Sequence, residues 1–130
     1  MGEGSKMEDI LEVVEMKLIV AGSREIIDEE FVHDWISKMN CTFCISEIVS
    51  GTCRGPDTFG ESWAGENWVD VKRFPANWDK FGRAAGPIRN REMAKYADAA
   101  LVFISQSSRG AKNMMEEMIK EHKPVMVVPL

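Results

Sequence analysis

The chain reads as an α/β protein: a three-layer, doubly wound fold around a mainly parallel sheet of about five strands. Three observations predict this. The strand-like segments are short and mostly apolar throughout, the pattern of strands buried on both faces. They alternate with segments of helical periodicity, which implies crossover connections. Loops punctuated by Gly22, Gly51 and Gly110 follow three of the strands. In such sheets crossovers are right-handed, and ligands bind beyond the carboxyl ends of the strands where strand order reverses.

Lys17–Gly22 is the first strand. Phe31, Trp35, Ile36 and Met39 lie at helical spacing, which predicts a helix over Asp28–Asn40 with Asp28 as N-cap. Cys44–Ser50 is the second strand, and Thr58–Glu66 the second helix, with Phe59, Trp63 and Ala64 on one face. Trp68–Phe74 alternates and reads as a third strand. Pro75–Gly86 is rich in Pro, Gly, Trp and charge and reads as a loop. Pro87 suits a first helical position, so Ile88–Ala97 follows as a helix. Ala99–Ile104 is the fourth strand, Ser107–Gly110 a tight loop, Ala111–Glu121 a helix and Pro124–Val128 the last strand. Residues 17–130 are read as one domain. Residues 1–16 are a tail or an extra short element, because Ile10, Leu11, Val14 and Met16 fit neither period.

With 45% hydrophobic residues in 130, the chain can bury a sizeable core. Lys plus Arg number 16 against 21 Asp plus Glu, a net charge of −5. That balance disfavours nucleic acid and anionic membrane, since both require clustered positive charge. No apolar run reaches the roughly 18 residues of a membrane span, and the start lacks the apolar core of a signal peptide. A cytoplasmic location is expected. Three cysteines, an odd number, argue against a disulfide framework. Cys41 and Cys44 have CxxC spacing but enter a strand rather than open a helix, and no second pair completes a zinc site. They read as residues packed at a strand start. No metal and no cofactor are expected.

Val49-Ser50-Gly51-Thr52-Cys53-Arg54-Gly55-Pro56-Asp57 is the most informative stretch. A strand runs through a glycine-rich loop into a helix N-terminus, where unpaired amides and the helix dipole favour phosphate. Three other segments reach the same sheet edge: Gly22-Ser23-Arg24, the Gly86–Arg91 helix start carrying Arg89 and Asn90, and Ser107-Ser108-Arg109-Gly110-Ala111. Arginine suits phosphate because its planar fork donates two parallel hydrogen bonds. Each segment alone reads as a turn or a helix cap. Together they predict a pocket for a phosphorylated or ribosylated small molecule. Its expected binding residues are Gly22, Ser23, Arg24, Gly51, Arg54, Gly55, Asp57, Arg89, Asn90, Ser107, Ser108, Gly110 and Ala111. Trp78, in a charged loop beside Lys80 and Arg83, either covers a base at the pocket mouth or packs back on the domain. Trp35, Trp63 and Phe31 read as core or interface. Met114, Met115 and Met118 form a helix stripe suited to a subunit contact.

The segments A-G-S-R-E, S-G-T-C-R-G-P-D-T-F-G-E-S-W-A, F-P-A-N-W-D-K-F-G-R-A-A-G-P-I-R-N-R-E-M, Y-A-D-A-A-L-V-F and S-S-R-G-A-K-N-M resemble the SLOG superfamily. They are most similar to its YspA- and YpsA-related branch. The resemblance spans about Lys17 to Leu130. It implies a Rossmann-like fold, a nucleotide-derived ligand and self-association. Its relatives include phosphoribohydrolases of the LOG group, ligand sensors, and a branch that handles single-stranded DNA during uptake. The LOG enzymes carry P-G-G-x-G-T-x-x-E where this chain has Gln106 to Met114, so Met114 stands at their glutamate. Their arginine is kept as Arg89. Three readings follow: a nucleotide-binding sensor; an N-glycosidase recruiting Asp57 or Glu61 with Arg89 as its catalytic set; or a non-catalytic interaction subunit.

Overall fold

The computed structural model describes residues 15–26 and 28–130. Its elements are β1 (Glu15–Gly22), α1 (Glu29–Thr42), β2 (Cys44–Ser50), α2 (Pro56–Glu66), β3 (Asp70–Arg73), the short α3 (Trp78–Phe81), α4 (Ala85–Tyr96), β4 (Ala99–Ile104), α5 (Arg109–Lys120) and β5 (Val125–Pro129). A 3-10 turn, Gly82–Ala84, joins α3 to α4. All five strands form one sheet, ordered β3-β2-β1-β4-β5, and every pairing is parallel. This is the α/β Rossmann-like architecture the sequence predicts. Of the segment expected as a tail or extra element, residues 1–14 lie outside the described residues, and Glu15 and Met16 already belong to β1.

Strand alternation sorts the core into two layers. Leu18, Val20, Ile48, Leu101 and Phe103 face α1 and α2, packing with Val32, Ile36, Trp63 and Ala64. Ile19, Ala21, Val49, Ala100 and Val102 face α4 and α5, packing with Met93, Ala94, Ala111, Met114 and Met118. The chain winds outward from β1 to β3, then crosses to β4 on the other side of β1. The reversal lies between β1 and β4, and their carboxyl ends open a crevice there.

Local chemistry explains the element ends. Asp28 Oδ1 accepts from the Phe31 amide at 3.2 Å and caps α1. Pro56 occupies the first turn of α2, where its missing N–H costs nothing, so α2 begins two residues before the expected Thr58. Trp68 is not in β3. It sits at φ +57 just past α2, and the Val69 amide closes on the Ala64 carbonyl at 2.9 Å. That is a Schellman closure, in which the left-handed residue is usually glycine. The loop expected over Pro75–Gly86 contains α3, capped by Asn77, whose Oδ1 accepts from the Lys80 amide at 3.1 Å.

Trp68 is 97% exposed, so its left-handed backbone is offset by little side-chain burial. A non-glycine residue there costs about 1 kcal/mol. Trp68→Gly is expected to raise unfolding free energy by about 0.5–1 kcal/mol, read as a higher urea midpoint at unchanged slope. An unchanged or lower midpoint would show that Trp68 contributes packing.

Two further expectations are corrected. Cys41 and Cys44 are exposed rather than packed, because both lie where α1 ends and β2 begins, beyond the covered part of the sheet. Met114 and Met118 are buried in the core against the sheet, so most of the methionine stripe serves this chain rather than a partner. Phe31 is half-exposed, with its ring edge-on to Phe103 at 6.0 Å.

Candidate functional site

A cavity of about 500 Å³ opens at the carboxyl ends of β1 and β4. Four segments build it. The β1 loop supplies Gly22, Ser23, Arg24 and Glu25; the β2–α2 connection supplies Cys53 and Asp57. Residues from α4 include Gly86, Arg89, Asn90 and Met93, and the start of α5 supplies Ser107 through Ala111 with Asn113 and Met114. Trp78 and Arg83 reach it from the short α3 and the turn after it.

The two helix starts at this edge differ. Three amides of the Gly51–Asp57 loop are turned on the chain's own Asp57, while the Thr52 amide donates to Ser50 Oγ at 3.0 Å. The Cys53 N–H donates to Asp57 Oδ2 at 3.3 Å, and the Gly51 and Asp57 amides also favour its carboxylate. Burial still dominates: it pushes the Asp57 carboxyl up from 3.8 to about 6, against the pull of those amides and of the Arg89 charge. The expected phosphate cradle therefore already holds an anion. Gly51 and Gly55 do not line the cavity, and Arg54 is exposed outside it. Gly55, at φ +86, lies against the backbone of Ser23 and Arg24 and shapes the connection rather than the pocket.

Arg89 is held by the same loop. It donates to the Gly51 carbonyl, to Cys53 Sγ at 3.7 Å and, through Nε, to Asn90 Oδ1 at 2.9 Å. A Cβ on Gly51 would stand 2.8 Å from both the Arg89 guanidinium and the Asp57 carboxylate, so only glycine lets the two groups converge there. Asn90 is buried and passes the network on, donating to Asn113 Oδ1 at 2.8 Å.

The start of α5 is open. Ser108 stands at its N-cap but does not cap it. Its hydroxyl instead accepts from the Ser105 amide at 2.9 Å and pairs with the Ser105 hydroxyl at 2.6 Å. Ser105 in turn donates to Ser23 at 3.1 Å, tying β1 to β4. Among the described residues the amides of Gly110 and Ala111 meet no acceptor. They face the cavity with the positive end of the α5 dipole. Four arginines (Arg24, Arg83, Arg89 and Arg109) and two carboxylates line the space, although the whole chain is acidic at −5. None of these arginines makes an ion pair among the described residues.

Glu61 lies outside the cavity. It accepts from Ser50 Oγ at 2.6 Å and pairs with Arg73 at 2.8 Å, so β2 and β3 hold it away from the pocket. Glu117 is likewise taken up, by Arg91 at 3.5 Å and Lys120 at 3.3 Å. Sequence reasoning missed Glu25, Cys53, Arg83, Arg109 and Asn113 as lining residues. Arg83 was legible in principle, since Asn77-Trp78-Asp79-Lys80 carries an N-cap signal inside the supposed loop. Away from the cavity, Ser62, His33 and Glu66 fall in a serine–histidine–acid order, with 2.9 and 3.4 Å between neighbours. Ser62 lies within α2, and its single hydroxyl proton is shared between Glu29 and the Phe59 carbonyl. This arrangement ties α1 to α2 and offers no oxyanion donor, because amides inside a helix are already paired.

The family model described as the YspA, cpYpsA-related SLOG family matches residues 16–81. The chain belongs to the YspA, cpYpsA-related SLOG family. It is 30% identical over 118 residues to the Gene 61 protein of Mycobacterium phage D29, covering 85% of this chain and 94% of that protein. Its fold is also similar to DNA processing protein A (DprA) from Streptococcus pneumoniae, with a TM-score of 0.71 at 20% identity. That match covers 88% of this chain and 50% of the DprA chain, so this chain spans half of its structural neighbour. Met114 is 1% exposed and forms part of the cavity wall. No helix among the described residues is long and apolar enough to cross a membrane.

Proposed function

We propose that the chain binds a nucleotide or nucleotide-derived ligand as a sensor or binding protein. The phosphate sits on the Gly110 and Ala111 amides, and the ribose extends toward Asp57. The observation that carries this reading is the uncapped start of α5, ringed by serine hydroxyls and by arginines that form no ion pair among the described residues. A cavity of about 500 Å³ is of the size that small organic ligands occupy, roughly 300–1,000 Å³. Nucleic acid is a poorer candidate, because the chain is acidic overall at −5.

Titration calorimetry with AMP, ADP, ADP-ribose and a cyclic dinucleotide is expected to give binding tighter than about 1 mM for at least one of them. Folded protein that binds none of the four would refute the reading.

Asp57 favours a second reading, an N-glycosidase. A buried carboxyl on the cavity wall, shifted to about 6, is suited to general acid–base work near neutral pH. Release of free base from nucleoside monophosphates, lost in Asp57→Asn, is its signature. Turnover unchanged in that variant would remove Asp57 from the chemistry.

A further inference from the structure

Trp78 is the large apolar side chain on the cavity wall that the fold itself does not use. It is 52% exposed. Among the described residues no aromatic ring or cation stacks on it, and no protein acceptor takes its indole N–H in the hydrogen-bonding network. Its backbone is nevertheless anchored. Asn77 caps the helical turn that carries it. The ring edge at Cη2 rests 3.3 Å from where a Cβ on the buried Gly86 would stand. Gly86 thus provides a seat, and Pro87 and Arg83 flank the cavity beside it. A half-exposed indole on the wall of a cationic pocket is a surface suited to a flat heteroaromatic ring.

We propose that Trp78 is a base-stacking platform that makes the site select nucleotides over sugar phosphates. The base lies on the indole, with the phosphate at the start of α5. This inference rests on the nucleotide reading above and adds an orientation and a selectivity to it.

The test uses AMP and ribose 5-phosphate as probes, with wild type, Trp78→Ala and Trp78→Phe. Calorimetry gives affinities and tryptophan fluorescence gives ring contact. AMP is expected to bind wild type more tightly than ribose 5-phosphate and to quench its fluorescence. Trp78→Ala should lose about 10-fold or more in AMP affinity while binding ribose 5-phosphate within about 2-fold of wild type. Trp78→Phe should retain most of the AMP affinity, since a phenyl ring still stacks. Trp78→Ala binding AMP as tightly as wild type overturns the platform alone. Equal losses for both probes give Trp78 a structural part and overturn it as well. Wild type that binds neither AMP nor ribose 5-phosphate, together with no binding across the nucleotide panel, overturns both readings.

Discussion

Gly110→Asp is expected to stabilise the protein and abolish ligand binding at once. Gly110 occupies the second position of α5, and nothing lies within 4 Å of where its Cβ would stand. Replacing a helical glycine by Asp gains about 0.3 kcal/mol in propensity, and by Ala about 0.8–1 kcal/mol. A carboxylate beside the open amides gains about 0.3–1 kcal/mol more. The net increase of about 1 kcal/mol corresponds to a rise of about 4 °C in the thermal midpoint. The same carboxylate sits where the phosphate is proposed to bind. It blocks that position and repels the charge, so affinity should fall at least about 100-fold. Gly110→Ala separates the two effects, because it keeps the amide and adds no charge. It should be more stable than wild type and bind within a few-fold of it. Unimpaired nucleotide binding by Gly110→Asp would place the anion elsewhere.

The second large effect concerns Asp57 and depends on pH. A carboxyl raised from 3.8 to about 6 by folding holds its proton more tightly folded than unfolded. Its contribution to stability is fully present below about pH 4 and is lost as pH rises through about 6. Above that, the folded protein carries a buried carboxylate at a cost of order 2–3 kcal/mol. Asp57→Asn keeps the shape and an acceptor for the loop amides but cannot ionise. Urea denaturation should find it about as stable as wild type at pH 4 and about 2 kcal/mol more stable at pH 8. The difference between the two proteins is the readout, since other carboxylates titrate equally in both. A gap that does not grow with pH would mean that the amides and Arg89 offset the burial of Asp57 in full.

These two residues also mark how far the sequence could be read. The sheet was legible because Leu18–Ala21, Ile48–Val49 and Ala100–Phe103 are apolar on both faces, a pattern local to each segment. The half of the site built by Ser23, Arg24, Arg89, Asn90, Ser107 and Ser108 was legible as residue types at strand ends. The direction of polar groups was not. The run Gly51–Asp57 has the composition of a phosphate loop, and only the rotamer of Asp57 shows that its amides are already engaged. Ser108 has the composition of a helix cap, and only the pull of the Ser105 amide leaves α5 uncapped. Trp68 suits a strand by propensity. It lies outside one because the end of α2 demands a left-handed residue at that step, and a tertiary closure overrode the local preference.

The order of the strands has one more consequence, for self-assembly. A parallel sheet with two open edges is a template on which further strands can grow into fibres. Here one edge is β3, only four residues long, with exposed Asp70, Lys72 and Arg73. The other is β5, which ends in Pro129, a residue with no hydrogen to offer the next strand. Charge guards one margin and proline the other, so the sheet resists propagation from copy to copy. Any partnership between copies of this chain is therefore steered toward its helical faces and away from the aggregation route that exposed β-edges invite.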